Sequence, residues 1–244
     1  MIEITAGSLL LKLADTEEEY QQLWKLRYHE LRKDYNQDIN DINEEDKDEY
    51  DEVCDHLIIV DTEINEVVGT YRLIKKSQLK DIKVFLTETE YDLTPLKKYE
   101  ILEVGRAVVK EEYRTGAAIS LLWKGVIKYA VSSGVDFMVG TASFHGIDPT
   151  PYYDTFAYLY DKYLSPIEFR CEVNKESYYP MNYLDSYDQQ KALENLPPLI
   201  KGYLRLGATI GNGVYKDVSF NSLDVLIVLK IDEINQRYLK KFLQ

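Results

Sequence analysis

The sequence predicts an α/β fold of the mixed α+β kind, in which a central mixed sheet is flanked by helices. Three observations carry this. Short apolar runs alternate with segments of helical periodicity. A hairpin pattern stands where a doubly wound fold would place a crossover helix. A long apolar strand then leads through a glycine-containing turn into a clear helix. With 244 residues, 45% of them apolar, the chain can bury a sizeable core.

Taken in order, Leu9 to Leu13 reads as a first strand. Thr16-Glu17-Glu18-Glu19 has capping-box spacing and opens an amphipathic helix through about Lys33. The acidic segment after it reads as a loop, too charged to pack and rich in Asn and Asp. His56–Asp61 and Glu66–Ile74 form an antiparallel hairpin around a turn at 62–65, with Gly69 as a bulge position. Ile101–Val109 is apolar enough for a central strand. The next helix repeats Ile119, Leu122, Trp123, Val126, Ile127 and Ala130 at three- and four-residue spacing, and Ser133-Gly134 stops it. Val135–Ala142 is a strand and Phe144–Pro149 a turn-rich loop. Tyrosines crowd Pro151–Tyr183. A helix from Pro197-Pro198 to Leu206, a strand at Leu223–Leu229 and a terminal helix with Arg237, Lys240 and Lys241 complete the chain.

Composition excludes several classes. Two cysteines and three histidines cannot build a disulfide framework or a thiolate zinc cluster. No apolar run approaches the ~20 residues of a membrane span, and the N-terminus has no signal-peptide pattern. The expected setting is the cytoplasm, with peripheral contact at the inner membrane as a further option. Net charge is −13, but from Asp34 to Asp55 eleven acids face Lys47 alone, so this segment carries −10 of it. The nearly neutral remainder can present a basic patch to an acidic partner, while no helix shows the basic stripe that nucleic acid requires.

Glu103 stands out, because an ionisable group within an apolar strand is costly unless paired or functional. Alternation puts it on the face of Gly105 and opposite Arg106. A partly buried carboxylate can take a proton from an amine; a salt bridge with Arg72 or Arg106 is the structural alternative. Tyr113-Arg114-Thr115-Gly116-Ala117-Ala118 is a degenerate phosphate-cradling turn of the kind GNAT acetyltransferases carry, or an ordinary helix start. Asp34-x-Asn36-x-Asp38 with Glu45 imitates a calcium loop, but Ile39 stands where glycine is required, so a solvated acidic loop is the expectation and no metal is. His145 is a candidate general base, because histidine as a residue type titrates near neutrality, but the sequence offers no nucleophile that can be matched to it. The tyrosines from Tyr152 to Tyr183 suit an acyl groove, a membrane surface or simply the core.

Several ordered segments together resemble a known family. They are 24–32 (WKLRYHELR), 50–60 (YDEVCDHLIIV), 68–73 (VGTYRL), 103–106 (EVGR), 142–149 (ASFHGIDP), 196–208 (LPPLIKGYLRLGA), 220–224 (FNSLD) and 237–242 (RYLKKF). They are similar to the ornithine-lipid N-acyltransferases, also labelled haemolysin-like, and more distantly to acyl-homoserine-lactone synthases. The likeness runs from about Leu10 to the C-terminus. It departs at Ile147, where the family usually has Thr, and at the weak phosphate turn.

This resemblance implies a GNAT-like single domain over 1–244, with its core at about 8–150 and a family-specific part at about 151–244. It implies transfer of a 3-hydroxy fatty acyl group from acyl carrier protein to an amino acid's α-amine. Glu103, Arg106 and Arg72 would be catalytic. Arg27, Asp48, Asp51, Ser143 and His145 would bind the acceptor, which assigns part of the acidic run to a site. Val104 and Val108, whose strand N–H groups would polarise the thioester, together with Arg114, Gly116 and Ala118, would hold the donor. No bound cofactor is expected; acyl-phosphopantetheine on acyl carrier protein, or acyl-CoA, is the donor substrate. A thioester is already activated, so neither metal nor covalent intermediate is required, and without a second acyltransferase domain the product is the N-acylated lyso form. The alternatives are an N-acyl amino acid or signal synthase using glycine or another acceptor, and a non-catalytic lipid- or carrier-binding module.

Overall fold

A computed structural model describes residues 2–35, 43–79, 82–114, 116–182 and 186–243. Its strands and helices run β1 (Glu3–Ala6), β2 (Leu9–Leu13), α1 (Glu17–Tyr35), β3 (Asp55–Asp61), β4 (Glu66–Lys75), β5 (Tyr91–Asp92) and β6 (Ile101–Val109). There follow α2 (Gly116–Ser133), β7 (Phe137–His145), α3 (Tyr153–Tyr163), β8 (Glu172–Val173) and β9 (Tyr178–Tyr179). The chain ends with α4 (Gln189–Glu194), α5 (Pro198–Leu206), β10 (Thr209–Ile210), β11 (Val214–Asp217), β12 (Ser222–Lys230) and α6 (Gln236–Leu243). The calcium-like positions Asn36, Asp38 and Ile39, and Thr115 of the expected donor turn, lie outside the described residues.

The chain forms two compact units. The first comprises residues 1–83, 104–134 and 239–244; the second, 84–103 and 135–238. In the first unit the strand order is β1-β2-β3-β4-β6, and α1 and α2 pack on the strands. Thr16 Oγ1 accepts the Glu19 N–H at 3.2 Å while Glu19 Oε2 accepts the Thr16 N–H at 3.3 Å, the reciprocal box that starts α1. One face of α1 buries Leu23, Trp24 and Leu26 against Ile58, Val60, Val67 and Val108. The β3–β4 register shifts at Ile59/Val60, so the expected bulge falls at Val68, beside Gly69. Gly125 lets α2 approach the sheet closely, because a Cβ there would stand 2.7 Å from the side chains of Leu11 and Leu57. Gly134, at φ +66°, ends α2. Ile119, expected in the core, is instead exposed near the helix start.

In the second unit the strand order is β6-β7-β12-β11-β9, with β10 also paired to β12. The β6–β7 pair is parallel and covers only Ile101–Glu103; β7 and β12 are antiparallel along nine residues. The core includes Phe137, Phe144 and Phe156, with Phe144 and Phe156 edge to face at 5.0 Å. Much of the tyrosine-rich region belongs to α3, where Tyr158 is buried. Strand β7 extends through His145, so the loop expected from Phe144 begins only at Gly146. Ladder hydrogen bonding overrides the turn signal there, because His145 pairs with Ser222 of β12.

Candidate active site

Among the described residues, each unit holds a group of buried charge. In the first, three arginines meet three aspartates. Arg27 of α1 grips Asp51 like a fork, Nη1 donating to Oδ1 at 2.6 Å and Nη2 to Oδ2 at 3.1 Å. Its Nε and Nη2 also reach Asp46 Oδ1, at 3.2 and 2.8 Å. Arg72 of β4 donates to Asp48 Oδ1 at 2.6 Å and to Asp51 Oδ2 at 3.5 Å. Arg106 of β6 donates to Asp46 Oδ1 at 3.0 Å and Asp48 Oδ2 at 3.3 Å. The 3-10 turn Glu49–Glu52 aims the carboxylates: Asp48 accepts the Tyr50 N–H at 3.0 Å and Asp51 the Asp48 N–H at 2.8 Å.

This corrects the loop reading of the acidic segment. Asp51 and Tyr50 are buried, because guanidinium groups match the charges that would otherwise keep the segment in water. Burial pushes the Asp51 carboxyl up, but Arg27 and then Arg72 overcome it and hold the group well below the usual carboxylate range. Asp46 is likewise lowered, with burial opposing and Arg106 and Arg27 prevailing. Burial depresses His56 to about 4, so the ring is neutral near pH 7. Asp51, Cys54 and His56 place potential metal-ligand atoms together. They suit a metal poorly, since Arg27 occupies Asp51 and burial with the Asp51 charge raises the Cys54 thiol to about 12.

Arg106 adopts φ +52° within β6, a left-handed conformation that costs an L residue roughly 1–3 kcal/mol. The ion pairs to Asp46 and Asp48 help hold it there. Strict alternation along β6 therefore fails beyond Gly105. The salt bridge considered for Glu103 is also not what occupies these arginines: Arg72 and Arg106 both pair with the aspartates.

In the second unit Glu103 is buried, and its Oε2 accepts the Thr87 N–H at 2.7 Å. Thr87 lies in a 3-10 turn, Leu86–Thr89. Register places Glu103 beside Val139, Ser143 beside Asp224, and His145 beside Ser222. Residues two apart on a strand share a face, so Glu103, Ser143, His145 and Asp224 all belong to one face of this sheet. His145 is exposed at the end of β7, and Tyr152 Oη donates to its carbonyl at 3.1 Å.

Asp224 is a residue the sequence reading missed. It is the sole acid within Ser222–Lys230, the same signal that singled out Glu103. Ser222 Oγ donates to its Oδ2 at 3.1 Å, and Ser143 also hydrogen-bonds the carboxylate. Burial pushes Asp224 up to about 6.

Around the turn expected to hold the donor, Arg114 is ion-paired with Glu30 at 2.8 Å and Asp34 at 2.7 Å, and it donates to the Val109 carbonyl at 2.9 Å. Gly116 opens α2 at the surface; Ala118 is buried, as are Val104 and Val108 on β6. Lys110 pairs with Glu66 at 2.6 Å.

Mixed sheet, a short parallel β6–β7 pair and a buried acid on β6 define a class, and comparison with known proteins agrees with it. Residues 26–124 match the acetyltransferase (GNAT) domain family. An N-acyl amino acid synthase from uncultured soil microbes shares the fold at TM-score 0.51 and 12% identity, over 92% of each chain. A CoA-dependent acyl-homoserine lactone synthase does so at 0.52 and 13%, over 93% of this chain and 81% of its own. The protein is an N-acyltransferase of GNAT fold. Over 97% of its length it is 34% identical to the L-ornithine N(alpha)-acyltransferase of Brucella abortus, covering 89% of that protein. It is 37% identical to the Agrobacterium fabrum enzyme of the same name, over 81% of this chain and 71% of the relative. The chain belongs to the L-ornithine N(alpha)-acyltransferase family. Among the described residues no helix is long and apolar enough to cross a membrane.

Proposed function

We propose that this chain acylates the α-amine of L-ornithine with a 3-hydroxy fatty acyl group carried as a thioester on acyl carrier protein. The likeness to ornithine N-acyltransferases supports this most, because at 34% identity it extends over 97% of the chain.

The reaction joins the amine nitrogen to the thioester carbonyl carbon, breaks the C–S bond and releases a thiol. The α-ammonium must lose one proton before attack and the new amide nitrogen another after it. Glu103 takes a proton from the amine, directly or through one water, and passes it towards the departing sulfur. The Thr87 N–H holds one oxygen of this carboxylate in place. Backbone N–H groups of β6 at Val104 and Val108, with Gly116 and Ala118 at the start of α2, serve the donor. Ser143 and His145, on the face of Glu103, serve the acceptor.

The arginine–aspartate group divides by depth. The side chains of Arg27 and Asp51 are fully buried, so they act as positioning residues. Asp48 and Arg106 keep 28% and 25% side-chain exposure, and they are the members within reach of a substrate. Arg72, nearly buried, acts through Asp48. An acylated amino acid partitions into lipid, so contact with the inner membrane belongs to the same reading.

The test is direct. Purified protein is given ornithine with a 3-hydroxyacyl donor on acyl carrier protein or on CoA, and lipids from expressing cells are analysed by mass spectrometry. The expected product is N-(3-hydroxyacyl)ornithine, made faster from the carrier-bound donor. An unchanged lipid profile with well-folded, abundant protein would sink the reading. Equal use of both donors would remove the carrier assignment alone.

A further inference from the structure

The sheet face that carries Glu103 also carries a group of carboxylates to which none of the roles above assigns a ligand. One oxygen each from Glu90, Asp217 and Asp224 lie within 4.8 Å of one another. Asp224 is 3% exposed, and its Oδ1 is buried with no hydrogen-bond partner among the described residues. Such an atom carries the full cost of desolvation until a donor reaches it. No arginine or lysine is paired with Asp217 or Asp224 among the described residues.

The surroundings hold this group in place. Tyr91, wholly buried and next to Glu90, donates its hydroxyl to the Asp224 carbonyl at 2.8 Å and the Gly213 carbonyl at 2.9 Å. Asp217 Oδ1 accepts the Phe220 N–H at 2.8 Å, which fixes the β11–β12 turn. Tyr215 stands opposite Asp224 in register and feels the charge of all three carboxylates. These contacts hold the three carboxylates close together on one face of the sheet.

We propose that Glu90, Asp217 and Asp224 form the subsite for the side-chain ammonium of a diamino-acid acceptor, and so select ornithine over amino acids with neutral side chains. An alkylammonium has three donors and no acceptor. Three tetrahedrally directed hydrogen bonds of ~2.8 Å place their acceptors ~4.6 Å apart, a triangle that fits within the observed limit. The location is what favours the acceptor over a metal ion. Thr87, whose N–H holds Glu103, precedes Glu90 by three residues at the end of a 3-10 turn, and Asp224 lies two strands from Glu103 and four residues along the sheet. With hydrogen bonds at both ends, the three methylenes of ornithine would carry the δ-ammonium to the carboxylates while the α-amine stays at Glu103. The raised Asp224 carboxyl accords with a site completed by a bound cation, which would stabilise its charged form.

This inference rests on the proposed ornithine acceptor, and its test separates the two. Wild-type protein, Asp224→Asn and Glu90→Gln are assayed with L-ornithine and with L-norvaline, which has the same carbon chain without the δ-amine. Circular dichroism and thermal melts establish folding; Glu90, half-buried on a turn, gives a second variant should Asp224→Asn fold poorly. The expected result is a fall of ~10–100-fold in the ornithine-to-norvaline ratio of kcat/KM, mainly through KM for ornithine, as for a lost charge-assisted hydrogen bond. A wild-type enzyme that prefers ornithine, with both folded variants keeping the same ratio, overturns the subsite and leaves the proposed function standing. A wild-type enzyme that acylates norvaline as well as ornithine overturns the subsite alone, and one that acylates neither overturns the proposed function. If calcium or magnesium chloride raises the Tm of wild type but not of Asp224→Asn, while KM for ornithine stays put, the group is a divalent-cation site and the inference fails.

Discussion

Asp51 in the first unit and Asp224 in the second are buried to almost the same depth, 6% and 3% exposed, yet they titrate in opposite directions. Asp51 is held below the ordinary carboxylate range and Asp224 is pushed up to about 6. Burial raises both. The difference is the partner: Asp51 has two guanidinium groups and a backbone N–H, whereas Asp224 has two serine hydroxyls and two neighbouring acids. Depth alone therefore says little about what a buried acid does. A carboxylate matched by arginine is complete as structure, while one left short of positive charge is suited to receive it from a substrate.

The largest effect is expected where a carboxylate serves chemistry. Glu103→Gln keeps an oxygen for the Thr87 N–H, so the fold should survive, while kcat should fall ~10²–10⁴-fold, the range for loss of a general base. Part of the rate should return at higher pH, where more of the amine is unprotonated. A destabilised but fully active variant would place Glu103 with Asp51 on the structural side. The converse holds for Asp51→Asn, which leaves Arg27 buried against half its ion pair. Stability should drop by ~3–5 kcal/mol, as for one partner removed from a buried pair, measured by urea unfolding. An intact midpoint would mean that the first unit's charges are not the structural group described.

Acid should separate the two units next. His56 is neutral when folded, depressed to about 4 from an ordinary value of 6.5. Between these values the unfolded chain binds the proton and the folded chain does not, so stability is lost as pH falls from 6.5 towards 4. Asp51, also depressed, adds a loss below its ordinary value of 3.8. Asp224 has the opposite sign: between about 6 and 3.8 the folded protein holds the proton, so its contribution grows on acidification. Asp224→Asn abolishes that compensation and should lose stability more steeply from pH 6 to 4 than wild type, by on the order of 2 kcal/mol over the interval. Parallel pH profiles of Tm would remove the asymmetry.

How far the sequence reveals this depends on whether a feature is local. The capping box at Thr16, the strands around Ile101–Val109 and Leu223–Leu229, and Gly134 as the end of α2 are set by neighbouring residues, and all are found. Glu103 is legible because one acid interrupts an apolar strand. Asp224 sends the same signal, but its meaning depends on Glu90, more than a hundred residues away, and no periodicity brings those two together. The acidic segment misleads for the same reason: its charges look solvated until Arg27, Arg72 and Arg106 are drawn from three separate elements. The φ of +52° at Arg106 has no sequence signal, since glycine would be the usual marker.

The smallest effect concerns cations, where the same distinction between matched and unmatched charge applies at the surface. Lys110 and Arg114 flank the turn proposed to hold the donor, but Glu66, Glu30 and Asp34 already pair with them. Reversing Arg114 would disturb its contacts with α1 as well as any docking, so it cannot report on the donor alone. Lys124 and Lys128 on α2 have no ion-pair partner among the described residues. They are the better probes of an acidic carrier protein, because their field is not compensated locally. Lys124→Glu with Lys128→Glu should raise KM for the carrier-bound donor several-fold at low salt and leave KM for the amino acid nearly unchanged. The difference should shrink towards physiological ionic strength, where a Debye length of ~8 Å screens exposed charges. A KM that ignores both the reversal and the salt would show that the carrier approaches another face.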